Sequence, residues 1–264
     1  MRKILRFLIG LAAFGALLYG AVNLAAYIQE SKQSINLNEN LINDAVHLNN
    51  PASQSLDADD ISAQETISET EQIPHETSPI EVDFDALLEK NEDIVGWLYS
   101  EDTPINLPVV QSSDNDYYLR RLIDGTGNNS GTLFVDYRND GAFSDGNTII
   151  YGHNMKNKEM FGTLSNYKEQ SYFDEHPMMW LLTPDGDYKI ELVAGYVTPT
   201  SSDVYSFEQS EEDVLAMVQQ AVEKSTFHTN IELDPGERFL TLSTCSYEYD
   251  NARYVLIGRM IALE

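Results

Sequence analysis

The sequence predicts a mostly β domain with a few peripheral helices, set behind an apolar leader and an acidic, polar segment. Three observations carry this. Short β-branched and aromatic runs recur from Ile105 onward, bounded by Gly, Pro, Asn and Asp turns. One clear amphipathic helix, Ser210 to Lys224, interrupts them. Two of the strand-like runs, ending at Tyr151 and Cys245, lead straight into polar loops. The pattern describes a closed or nearly closed sheet and by itself leaves barrel and sandwich both open.

At the amino terminus Arg2, Lys3 and Arg6 precede an uncharged, mainly apolar stretch, Phe7 to Ile28. As a helix it reaches about 33 Å, enough to cross a bilayer and longer than a cleavable signal core. The chain is therefore expected to have a cytoplasmic segment 1–6 and a transmembrane anchor 7–28, with the remainder outside by the positive-inside rule. Residues 29–79 are expected to be a flexible acidic stalk. From Glu30 to Glu81 there are eleven acidic side chains against Lys32 alone, too few apolar groups to offset chain entropy. A helix over Ile35 to Leu48, continuing the membrane helix, is the competing reading, because Ile35, Leu37, Leu41, Ile42 and Val46 are partly periodic.

Residues 80–264 suit one domain. The whole chain carries −27; with +3 in the leader and −10 in the stalk, −20 falls on residues 82–264. Such a balance argues against nucleic acid or an anionic lipid surface as partner and is compatible with an amine-bearing substrate. The single cysteine excludes an intrachain disulfide and leaves a free thiol.

Within the domain, Phe84, Leu87, Leu88, Ile94, Val95, Trp97 and Leu98 follow a largely helical period and predict a helix ending near Gly96. Ile105 to Gln111 reads as a short strand broken by Pro108. Asp124 to Asn129 is a flexible turn with no phosphate-loop continuation. Thr132 to Val135 and Asn147 to Tyr151 read as strands, separated by a polar loop from Asp136 to Gly146. Two short helical segments are expected at Glu159 to Tyr167 and Gln170 to Glu175. Met178 to Thr183 and Tyr188 to Tyr196 form a hairpin about Thr183-Pro184-Asp185-Gly186. In the helix from Ser210, an N-cap serine and Glu211 and Glu212 in the first turn support the start, and Val214, Leu215, Val218 and Val222 form its stripe.

The chemistry gathers at the carboxyl end. Phe239, Leu240 and Leu242 lead to Cys245, and Tyr254 to Ile257 begin just behind Arg253. If these runs pair as antiparallel neighbours, thiol and guanidinium share one end of the sheet. His153 also follows a strand end, and parallel pairing of its strand with that of Cys245 would bring both to one rim. The other histidines, His47, His75, His176 and His228, fall in the stalk, in a turn and behind a helix, where solvated or locally satisfied imidazoles are the rule. No metal-ligand pattern is present, and no cofactor is expected.

Thr241-Leu242-Ser243-Thr244-Cys245 followed by Arg253 resembles the TLxTC…R signature of the sortases, the cysteine transpeptidases of Gram-positive cell surfaces. The TLSTC form, the stretch NEDIVGWLY…INLPVVQSSDNDYYL and a helix between the penultimate strands resemble class B in particular. The resemblance spans roughly residues 80 to 264. It implies an eight-stranded β-barrel and a catalytic set of Cys245, His153 and Arg253. It further implies a secreted protein substrate whose carboxy-terminal sorting pentapeptide is cut after Thr, and a peptidoglycan precursor amine as acceptor. Asn115, Leu119, Tyr205 and Ser243 match positions that line the class B groove. Three alternatives are a pilin-polymerising sortase, whose Asp-Pro-aromatic lid motif is absent between Glu30 and Ile105, a cysteine endopeptidase, and a non-catalytic surface-binding domain.

Overall fold

The computed structural model describes residues 2–49, 77–207 and 210–263, in which eight strands close into a barrel. These are β3 (Ile94–Tyr99), β4 (Asn106–Val110), β5 (Leu133–Val135), β6 (Asn147–Tyr151), β7 (Met178–Thr183), β8 (Gly186–Pro199), β9 (Arg238–Cys245) and β10 (Ala252–Ala262). Around the barrel the order is β10-β8-β7-β3-β4-β5-β6-β9. Only β4 with β5 and β6 with β9 pair in parallel. The β6–β9 pairing brings two distant segments together. Tyr151 stands opposite Ser243 and the strands run the same way, so the residues after each emerge at one rim.

Before the barrel lie α1 (Arg2–Ala45), β1 (Val46–Leu48), β2 (Ile80–Val82) and α2 (Phe84–Leu88); α3 (Gln170–Glu175) and α4 (Glu211–Lys224) flank it. Side chains alternate across the sheet. Leu240, Leu242, Tyr254, Leu256 and Ile150 fill the barrel interior with Leu98, Val109 and Leu181. Phe239, Val255 and Ile257 face outward beneath α4. A third cluster covers the opposite side, where Leu41 and Ala45 of α1 pack with Leu87, Trp97, Val110 and Tyr118.

Several expectations are corrected. The helix expected from Phe84 to near Gly96 ends at Leu88, and the later part of that stretch is β3. Ile94, Gly96, Trp97 and Leu98 are buried from both sides, so strand and helix give the same apolar spacing, and β-branched and aromatic residues favour the strand. Pro108 does not break β4. Its ladder with β5 begins only at Val109, so the missing N–H at Pro108 has no bond to lose on that side. The flexible stalk does not begin at residue 29: α1 runs unbroken to Ala45, and β1 then pairs with β2. The partial periodicity is a docking face, with Leu41 and Ala45 fully buried on the barrel. Residues 50–76, the larger part of the expected stalk, lie outside the described residues.

On α4 the capping box of Ser210 and Asp213 starts the helix as expected. Its buried stripe is Val214, Met217, Val218 and Ala221, whereas Val222 is exposed. The hairpin at Thr183 to Gly186 forms where expected, and β8 extends to Pro199 because its far half is paired by β10.

If α1 is part of the folded domain, Leu41→Ala in the detergent-solubilised chain should cost about 2–5 kcal/mol by urea unfolding, against under about 0.5 for the exposed Leu48→Ala. Equal small effects would show that the helix adds nothing to the fold.

Candidate active site

β9 and β10 pair antiparallel with Cys245 directly opposite Arg253. Side chains so placed have Cβ atoms about 4.5–5.5 Å apart. By alternation both lie on the outer face, with Phe239 and Val255. Thiol and guanidinium therefore belong to a surface cleft and not to the barrel interior. Both are half-buried.

His153 comes from the end of β6, and three bonds beyond the last strand pair tie its segment to β9. Gly152 N donates to the Ser243 carbonyl at 3.1 Å. Thr244 Oγ1 donates to the Gly152 carbonyl at 2.7 Å, and Asn154 Nδ2 to the Cys245 carbonyl at 2.8 Å. Gly152 has no room for a side chain: a Cβ there would stand 2.5 Å from Leu133 Cδ2 and 2.6 Å from Phe161. The imidazole Nε2 lies 2.7 Å from the Leu119 carbonyl oxygen. A carbonyl only accepts, so Nε2 carries the proton and Nδ1 is the nitrogen left to gain and lose one.

The cleft has a volume of about 370 Å³ and is lined by Cys245, His153 and Arg253 together with Asn115, Leu119, Tyr205 and Ser243. All seven residues singled out in the sequence thus meet at one cavity. Three are engaged differently from simple lining residues. The Asn115 amide is used at both ends, donating to Asp136 Oδ2 at 3.0 Å and accepting from Tyr137 N at 3.0 Å. Tyr205 and Ser243 hydroxyls bond each other at 2.8 Å. Burial pushes the Tyr205 phenol up to about 12, against the opposing pull of the Ser243 bond and Arg253, so it stays protonated.

Sequence reasoning missed the wall built on Asp136 and Arg138. Asp136, the first residue after β5, is fully buried, and accepts from Arg138 Nε at 2.9 Å, Arg138 Nη2 at 2.8 Å and Tyr151 OH at 2.9 Å. Burial works against its ionisation, but the bonds from Arg138, Tyr151 and Asn115 outweigh it and hold the carboxyl below the usual carboxylate range. Arg138, thus forked onto Asp136, lies 3.8 Å over the Phe207 ring and lines the cleft. The signal available was position: Asp-Tyr-Arg follows a strand end beside the strand that carries the histidine. On the other side, the loop between Cys245 and Arg253 is held by Glu248. Bonds from Lys168 and Ser246 draw its carboxyl down to about 2. Among the described residues no group of three or more His, Cys, Asp or Glu side chains could hold a metal ion.

A closed barrel with a thiol, a guanidinium and an imidazole in one outer cleft is the architecture of a cysteine acyl-transferring enzyme. The comparisons make the class specific: the sortase domain family matches residues 98–261. Sortase B of Listeria monocytogenes is 38% identical over 177 residues, 65% of this chain and 71% of that protein. A Staphylococcus aureus sortase B–substrate complex superposes with a TM-score of 0.64 at 29% identity, covering 69% of this chain and 85% of that one. Clostridium perfringens sortase B gives 0.64 at 31% identity, over 68% of this chain and all of that one. The chain belongs to the sortase family, in class B, and is a sortase cysteine transpeptidase of cell-wall sorting.

Because the folded pKa of Asp136 lies below its unfolded value near 3.9, its contribution is present above that pH and lost as pH falls toward the folded value. Asp136→Asn should cost about 1.5–3 kcal/mol near pH 6, toward the low end because Arg138 is 42% exposed. The difference from the unsubstituted chain should shrink as urea unfolding is repeated toward pH 3.

Proposed function

We propose that residues 7–28 anchor this transpeptidase in the membrane, with residues 1–6 in the cytoplasm and the barrel outside, and that Cys245, His153 and Arg253 carry the reaction. The observation that bears most weight is the facing of Cys245 and Arg253 across β9 and β10, with His153 tied to the same rim. In support of the anchor, residues 7–28 of α1 are mainly apolar, uncharged and solvent-exposed over the length of a span.

The substrate is an exported protein with a carboxy-terminal sorting motif. The Cys245 thiolate attacks the carbonyl of its threonine, and the resulting oxyanion is held by Arg253 through its forked donors. As the C–N bond breaks, the departing amine takes a proton from His153 Nδ1. A peptidoglycan precursor amine then gives a proton back to Nδ1, attacks the thioester and releases the thiolate. No step requires a cofactor. Leu119 acts through its carbonyl, which orients the imidazole, as well as through its side chain. Asn115 acts by fixing the Asp136–Arg138 wall, while Tyr205 and Ser243 offer hydroxyls along the groove.

The test is incubation of the detergent-solubilised chain with NPQTN, PPKTG and LPXTG-type peptides, with and without triglycine or diaminopimelate, followed by intact mass. A thioacyl adduct that an amine discharges is expected with one motif, and no adduct in Cys245→Ala. His153→Ala should slow turnover about 10²–10⁴-fold, and Arg253→Lys about 10²–10³-fold in kcat. Full activity in Arg253→Lys would remove the oxyanion role. No adduct with any peptide would remove Cys245 as nucleophile.

A further inference from the structure

A net charge of −27 argues against an anionic partner, yet the distribution of charge around α1 points the other way at one place. The span ends at Ile28, and contact with the barrel begins at Glu30, about 3 Å further along the helix axis. Asn128 Nδ2 donates to the Glu30 carbonyl at 2.9 Å and Asn129 Nδ2 to Glu30 Oε2 at 2.7 Å. Asn157 Nδ2 donates to Ser31 Oγ at 2.9 Å, and Ser31 donates to Glu159 Oε1 at 3.3 Å. Beyond this junction Leu37 and Leu41 pack onto the domain, and no Gly or Pro interrupts the helix between Val22 and Ala45. The barrel is thus clamped to the helix at the point where it leaves the apolar layer.

Four cations lie on the segments that meet at that point. Lys32 follows Ser31; Lys156 and Lys158 flank Asn157; and Arg120 Nη1 donates to Asn129 Oδ1 at 3.0 Å. All four are exposed, and among the described residues none forms an ion pair. The two carboxylates of the junction, Glu30 and Glu159, turn inward to accept the bonds just described. A bilayer of about 40–45 Å with an apolar core of about 30 Å leaves about 5–7 Å of headgroup on each side, so a junction about 3 Å beyond the span lies within that layer.

We propose that Lys32, Arg120, Lys156 and Lys158 form a basic collar that binds anionic phospholipid headgroups of the outer leaflet and seats the barrel on the membrane. The inference rests on the reading of residues 7–28 as a span. The collar adjoins both supports of the imidazole. Arg120 follows Leu119, whose carbonyl bonds His153, and Lys156 and Lys158 lie in the loop closed by the bond from Phe161 N to the His153 carbonyl at 3.0 Å. The cleft is thereby held beside the headgroups, where a lipid-linked amine acceptor arrives.

The test uses the full chain in nanodiscs of phosphatidylcholine alone or with phosphatidylglycerol, followed by amide hydrogen exchange. Residues 119–130 and 155–160 should exchange about fivefold more slowly in the anionic discs at low salt, with the difference lost at about 1 M salt. It should also be lost in the triple variant Lys32→Gln, Lys156→Gln, Lys158→Asn, where asparagine suits the left-handed backbone at residue 158, φ 69°. Equal exchange in both lipids, with the chain co-eluting with the discs, overturns the collar while leaving the span intact. Protection by a lipid-linked pyrophosphate in neutral discs, with none from phosphatidylglycerol, overturns it in favour of a precursor site. A chain that does not enter the discs overturns the span and the collar together.

Discussion

The parallel pairing of β6 with β9 is the constraint on which the rest depends. Parallel neighbours need a long crossover, and everything from Gly152 to Glu237 serves as that connection. Its consequence is chemical: two loops distant in sequence leave the sheet at the same rim, and the ladder continues past the strand ends through Gly152, Thr244 and Asn154. The hairpin of β9 and β10 then adds the guanidinium by local pairing alone. One non-local and one local pairing therefore set the relative positions of all three polar groups, with no strained backbone at any of them.

Electrostatics act on two length scales. The chain's large negative charge disfavours another anion nearby, but salt screens that field beyond about 8–10 Å. Arg253 stands across a single strand pair from Cys245, well inside that distance. The cleft thus sets its own local charge, and Asp136 contributes by being neutralised: its oxygens are spent on Arg138, Tyr151 and Asn115. The same contrast between net and local charge holds where α1 meets the barrel. The sum over residues does not describe that junction, where exposed cations gather on neighbouring segments.

What could be read from the sequence follows how local each feature is. The facing of Cys245 and Arg253 was legible because a short polar loop joins two apolar runs. That His153 shares their rim was legible only as a condition, since nothing nearby in the sequence states that β6 and β9 are parallel. Asp136 and Arg138 were read as loop because their worth depends on Tyr151, Asn115 and Phe207, three partners from other segments. The stretch after Leu88 was misread because burial on both faces removes the polar alternation that distinguishes strand from helix. The length of α1 was open for a related reason: acidic residues suggested disorder, and only the docked apolar face decides in favour of order.

The lone sulfur gives this chain an experimental convenience of its own. With Cys245 the only thiol in 264 residues, and half-exposed in the cleft, a sulfhydryl reagent has a single place to go. The equivalents consumed therefore count accessible Cys245 thiols, and the same label reports occupancy whenever a bound peptide shields it. Stoichiometry, rate and protection come from one natural probe, with no residue added or removed.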